Sequence, residues 1–434
     1  MGDIHVTREL LLGVFRGELP TEVLTQVSLQ HLLRLCPYCW REFDAFRREV
    51  EAGRDAGLIL AGLGVQMTRL EKEHRRAEED LRDLLALSKE EGAGRIRRSR
   101  RRFRGSHLAH LLLEESQERL TIDPKEAYHL AELAHLVVQN TPFDRDVLHL
   151  LVLTHASMAN ASRVSGDTHQ AEEHFGRTRH LLTHHAVTET ALLARIDDLE
   201  GSLRMDQHRL SQAIKLFDRA ASLYELLDAR VELARVLLKL AATYNLQGKA
   251  ERAVKVVRAA LHELSPESEP RLYMSARYNL ALFLVESGDA RKAAEVLEED
   301  VELSKKFPEP WLQLRITGLR GKIAAAQKDF ATAEAAFLEM REGFLREESG
   351  YDAAIVSMDL ALLYLRQGRT AELKTLAKEM LPIFRSQDVH REALAALVLF
   401  QEAVREEQVT AAFVRELASY LDAARNDPSL RFRS

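Results

Sequence analysis

Cysteine, proline and glycine are scarce, and each scarcity removes a class of architecture. Only 2 cysteines occur in 434 residues, both in one C-x-x-C at Cys36 and Cys39, so no disulfide framework holds the chain together. With 10 prolines and 20 glycines, turn-forming residues are too few for many short strands. Long helices with brief connections fit better. Surplus positive charge is missing too: the net charge is −6, which argues against a chain that wraps nucleic acid along its whole length. No apolar run reaches bilayer-spanning length, and Met1 to Val6 lacks a charged start leading into an apolar core, so a cytoplasmic location is expected and no membrane partner. Phosphate loop, nucleophile elbow and dinucleotide glycine fingerprint are all absent, which points away from an enzyme.

What is present is a repeat. Ala171, Ala213, Ala253, Ala293 and Ala333 are spaced 42, 40, 40 and 40 residues apart. One helical turn after each lies a bulky residue: Phe175, Phe217, Val257, Leu297 and Phe337. Another small residue precedes each alanine at a fixed distance: Ala159, Gly201, Ala241, Ala281 and Gly321. Turn glycines fall at Gly166, Gly248, Gly288 and Gly368, each followed by a charged residue. Each unit reads as two helices that cross closely at the small residue, with glycine ending the first helix where left-handed backbone is needed. Neither helix can bury its apolar face alone, so stacking builds one continuous core.

The order of small residue, turn glycine, alanine and phenylalanine resembles the tetratricopeptide repeat over about residues 102–424. The best copies are Leu280-Ala281 with Gly288, Ala293 and Leu297, and Leu240-Ala241 with Tyr244, Gly248, Ala253 and Ala260. The period of 40 exceeds the family's usual length of about 34, as in the tetratricopeptide-like sensor domains of bacterial regulators. The resemblance implies an all-α fold, a right-handed α-solenoid of seven or eight helix pairs, with Asp123-Pro124 opening the second helix of the first pair. Around it the sequence sets a helical module at 1–50, a helical and arginine-rich connector at 51–101, and a tail at 425–434.

Residues 1–50 read as three short helices. Gly17-Glu18-Leu19, Glu22, His31-Leu32, Cys36-Pro37-Tyr38-Cys39 and Glu42 together look like the zinc-finger-like domain of bacterial anti-sigma factors. That resemblance implies one zinc ion held by His31, Cys36 and Cys39, with His5 near the fourth position. Four residues separate His31 from Cys36 where the family has three, which on a continuous helix turns the histidine by roughly 100°. Two other readings stay open: a metal-free module with both cysteines as small apolar residues, and a redox dithiol.

Met67 to Glu91 is strongly helical, with its apolar residues placed to pack on the first repeat or to join the two domains. Beyond it, Arg95, Arg97, Arg98, Arg100, Arg101, Arg102 and Arg104 put seven arginines in ten residues. A solvated face pairing with the acidic run before it, or a contact with an acidic protein, is favoured over nucleic acid. Eleven of the 17 histidines lie between His107 and His185. His180 and His184 are one turn apart, yet no carboxylate completes a metal motif, so surface and seam positions are expected for them.

In tetratricopeptide arrays the first helices of the pairs line a groove. The resemblance places Asn160, Arg163, Arg195, Asp198, Arg235, Lys239, Asn245, Asn279, Arg315 and Lys322 on or near that face. The set is basic and amide-rich, which suits carboxylates and extended backbone. Ala156 and Leu199 stand where a chaperone-type carboxylate clamp needs lysine and asparagine. The expected function is therefore a non-catalytic scaffold or regulator that binds an acidic or extended protein segment in the groove. Its N-terminal module would contact a second, sigma-factor-like partner. The alternatives are a sensor of a peptide or small ligand, and an accessory subunit of an enzyme or defence complex.

Overall fold

The computed structural model describes residues 60–99, 102–143, 145–385, 389–425 and 430–432. The zinc candidates His5, His31, Cys36 and Cys39 lie outside the described residues, as do Arg100 and Arg101. Nineteen helices and no strand form among the described residues, so the fold is all-α. None of those helices is long and apolar enough to cross a membrane. The chain divides into two compact units, Met1–Leu193 and Ala194–Ser434.

The first unit contains α1 (Leu60–Leu85), α2 (Lys89–Arg98), α3 (Ser106–Arg119), α4 (Pro124–Gln139), α5 (Arg145–Val164) and α6 (Thr168–His184). The helical run expected from Met67 to Glu91 is cut in two. Ser88 takes extended backbone, and its N–H and hydroxyl both donate to the Glu91 carboxylate at 3.2 and 2.8 Å. That capping interaction starts a new helix instead of extending the old one. α1 packs on α3 and α2 on α4, so the segment does stack on the first repeat. Gly92, Ala93 and Ile96 seat α2, and Asn140 Nδ2 donates to the Ile96 carbonyl at 3.0 Å. Asp123 caps α4 by accepting from the backbone N–H groups of Lys125 and Glu126, with Pro124 as first residue, where the sequence placed this start.

The second unit contains six pairs. They are α7 (Thr190–Asp206) with α8 (Leu210–Leu226), α9 (Arg230–Leu246) with α10 (Ala250–His262), and α11 (Pro270–Glu286) with α12 (Ala290–Glu299) and the short α13 (Val301–Ser304). Then come α14 (Pro310–Ala326) with α15 (Phe330–Arg346), α16 (Gly350–Gln367) with α17 (Thr370–Arg385), and α18 (Arg391–Arg405) with α19 (Ala411–Ala424). Together with α3/α4 and α5/α6 these make eight pairs.

The periodic residues form the seams. Ala213, Ala253, Ala293 and Ala333 are fully buried, and so are Phe217 and Val257. A Cβ on Gly201 would stand 2.7 Å from the Phe217 ring, and one on Gly321 would stand 2.8 Å from Phe337. At these two crossings a Cβ would force the phenylalanine ring to shift, whereas the α5/α6 pair carries Ala159 with Phe175. Where the bulky partner is the smaller Val257 or Leu297, the first helix carries Ala241 or Ala281 instead.

From α5 onward each first helix ends in a turn with left-handed backbone. Gly248, Gly288 and Gly368 have φ of 72°, 89° and 69°. The next residue's N–H closes on the carbonyl five residues back, as in Lys249 to Tyr244 at 2.9 Å. His208 and Lys328 hold the same turn position with φ of 54° and 67°, although each carries a Cβ. That conformation costs a non-glycine residue roughly 1–2 kcal/mol. Lys328→Gly is therefore expected to stabilise the chain by about 1 kcal/mol, read as a raised midpoint in urea unfolding. An unchanged or lowered midpoint would contradict this account of the turn.

First helices touch first helices along the unit (α9 with α11, α11 with α14), and each second helix abuts the next first helix. The last pair breaks this order. α18 packs on α17, while α19 returns to lie against α16. Arg425 bonds to Asp352 at 2.9 Å there, and the Tyr420 hydroxyl donates to the Leu430 carbonyl at 3.0 Å. α16 is covered on both sides as a result, with Ala353, Ala354, Met358, Leu360 and Ala361 all fully buried.

Candidate functional site

On each first helix, the residue six before the small seam residue is turned away from the seam by about 120°. In four consecutive first helices that residue is Arg195 on α7, Arg235 on α9, Ser275 on α11 and Arg315 on α14. All three arginines are exposed, and none has an ion pair with a described residue. Arg315 lies over the Tyr278 ring of α11, 4.8 Å from its centroid, which fixes its guanidinium on the neighbouring first helix. A single repeat position thus carries a row of cations.

Beside this row, both candidate lysines already hold partners. Lys239 of α9 bonds to Asp198 of α7 at 2.7 Å, and Lys322 of α14 bonds to Asp359 of α16 at the same distance. Burial alone would lower the Lys322 pKa, but the Asp359 charge overcomes it and the net shift is upward. These pairs tie adjacent first helices and leave the arginines as the uncommitted charges. Asn245 and Asn279 are half-buried, and their side chains make no hydrogen bond to a described residue. In the first unit Asn160 is buried and accepts from Arg163 Nε at 3.0 Å.

The basic segment splits by role. Arg102 bonds to Asp80 and Asp83, both at 2.5 Å, and lies over the Phe103 ring. It pins the segment to the acidic face of α1. Arg95, Arg97, Arg98 and Arg104 are exposed.

The histidines of the first unit assemble into a network that the sequence did not reveal. His135 of α4 pairs through Nδ1 with the Thr154 hydroxyl at 3.1 Å, and Gln139 Nε2 approaches its Nε2 at 2.9 Å. His155 of α5 and His174 of α6 meet Nδ1 to Nδ1 at 3.3 Å, and the Tyr128 hydroxyl of α4 reaches His174 Nε2 at 3.1 Å. Burial pushes His155 down to about 3, helped by the neighbouring positive groups. Burial likewise pushes His174 down to about 4, and it lowers His135. All three are neutral near pH 7. His180 and His184 are exposed with ring centroids 5.6 Å apart. Among the described residues no group of three or more His, Cys, Asp or Glu is placed to hold a metal ion.

No family model matches the chain, and no curated protein matches it. Solved structures do. A Rap protein complexed with competence and sporulation factor is 14% identical, with a TM-score of 0.55 over 73% of this chain and 87% of that one. Aspartyl phosphate phosphatase F from Bacillus subtilis is 15% identical, with a TM-score of 0.52 over 84% and 89%. The apo form of RapI is 14% identical, with a TM-score of 0.52 over 73% and 87%. At such identity the likeness is one of fold. The chain has a tetratricopeptide-like helical-repeat fold.

Proposed function

We propose that the chain is a non-catalytic regulator that binds an acidic, extended protein segment along the first helices of its second unit. The observation that carries this is the row Arg195, Arg235 and Arg315, exposed at one repeat position and without carboxylate partners among the described residues. Arginine binds carboxylates in bidentate geometry, and an extended segment presents side chains at intervals that a helical ladder can meet. Asn245 and Asn279 supply amides for the segment's backbone. One of the similar structures is a Rap protein complexed with a factor, and that supports a binding role for a chain of this fold. The site of action would be inside the cell.

Selection of a random peptide library on the full chain tests the reading. Enriched peptides should be rich in Asp and Glu. Arg195→Ala, Arg235→Ala and Arg315→Ala combined should weaken them at least tenfold, with binding falling as salt rises. Enrichment of neutral or basic sequences, or indifference to the triple substitution, would remove this function.

A further inference from the structure

Between α5 and α6 the first unit holds a cavity of about 430 Å³, open to solvent, separate from the arginine row. Its walls include Leu151 and Leu181, its interior His155, and its rim Glu173, Arg177 and His180. Glu173 and Arg177 are one helical turn apart on α6, both exposed, and neither forms an ion pair with the other or with another described residue. Two opposite charges that flank one cavity without pairing are complementary to a ligand carrying both signs.

The tautomer of His155 is coupled to its neighbours. The Tyr128 hydroxyl can donate to His174 Nε2 or accept from it, so two tautomer sets satisfy the chain. With Tyr128 donating, neutral His174 carries its proton on Nδ1 and donates it to His155 Nδ1. In that set His155 carries its proton on Nε2, the ring nitrogen with no partner among the described residues. His155 is 8% exposed and is one of the residues that line the cavity. A ligand carboxylate selects this set, because only it gives Nε2 a proton to donate.

From this arrangement we infer that the cavity binds a free apolar α-amino acid. The ligand's carboxylate accepts from Arg177 and from His155 Nε2, its ammonium faces Glu173, and its side chain lies against Leu151 and Leu181. The volume falls within the range of small-ligand sites. A peptide terminus would satisfy only one of the two rim charges.

Calorimetric titration of the full chain at pH 7.5 with L-leucine, N-acetyl-L-leucine and L-leucinamide tests the inference. Leucine should bind at one site, and the acetylated and amidated forms at least tenfold more weakly. Arg177→Ala and Glu173→Gln, both exposed positions, should each weaken leucine at least tenfold without changing the melting curve of the ligand-free chain. The triple alanine variant at Arg195, Arg235 and Arg315 should bind leucine unchanged, so this site and the arginine row can fail separately. No heat of binding with leucine would overturn the inference. So would leucine binding that neither rim substitution alters. N-acetyl-leucine binding as tightly as leucine would also overturn it, because the site would then read a carboxylate alone.

Discussion

Phe217→Ala is expected to lower the unfolding free energy by about 3–5 kcal/mol. The ring is fully buried in α8 and fills the space that Gly201 of α7 leaves by having no side chain. Alanine would open a cavity that the glycine opposite cannot fill. Stability in a stacked repeat passes only between neighbours, so the loss should appear first in hydrogen exchange at α8 and α9 and last at α16 to α19. The same steric rule gives a rescue at the equivalent seam. Gly321→Ala alone should cost about 1–3 kcal/mol by overpacking against Phe337. Adding Phe337→Leu should recover most of that, because Ala281 with Leu297 already fills the matching positions. Urea unfolding of the parent chain, the two single variants and the double variant gives the coupling. Additive costs would mean that Gly321 and Phe337 do not share the space the seam assigns them.

Acidification should destabilise the first unit well before its carboxylates protonate. His155 and His174 stay neutral in the fold, pushed down to about 3 and about 4, whereas in the unfolded chain they take up protons near pH 6.5. Below pH 6.5 the unfolded state therefore binds more protons, and stability falls as pH falls. The contribution is complete above pH 6.5 and is lost progressively toward pH 4. At about 1.4 kcal/mol per pH unit for each group, the step from pH 6.5 to pH 5 costs about 2 kcal/mol per histidine, or about 4 kcal/mol for the two. His135 shifts in the same direction and adds to it. Arg177 faces the cluster and makes protonation harder still, while Glu132 and Glu173 act in the opposite sense. Melting temperatures across this range should fall steeply for the native chain, and less steeply when His155 and His174 are both replaced by glutamine. Equal slopes for the two proteins would place the acid sensitivity elsewhere.

The repeat could be read from the sequence because the seam is a steric constraint on residue size. Close crossing at Ala241, Ala281 or Gly321 limits what Val257, Leu297 and Phe337 can be, and that limit returns every 40 residues. The arginine row was legible for the same reason, since Arg195, Arg235 and Arg315 sit at one offset from those small residues. Pairings that belong to single places were not. Nothing in the spacing of Asp198 and Lys239 tells that they bond, and the histidines that meet across α4, α5 and α6 follow no period. The turn conformation of His208 and Lys328 was hidden as well, because a solvated turn tolerates a modest backbone cost that leaves no mark on residue type. The end of α1 was missed because a capping serine inside a strongly helical composition looks like one more polar residue.

The final pair has a consequence for how a chain of this kind can change length. Tandem duplication lengthens a stack only where the new module finds an open surface of the standard kind on each side. With α19 laid back against α16, and α18 on α17, the regular order of the stack stops at α17 among the described residues. An added module of 40 residues should therefore be accommodated between α9 and α15, where one pair meets the next in regular order, and rejected after residue 350.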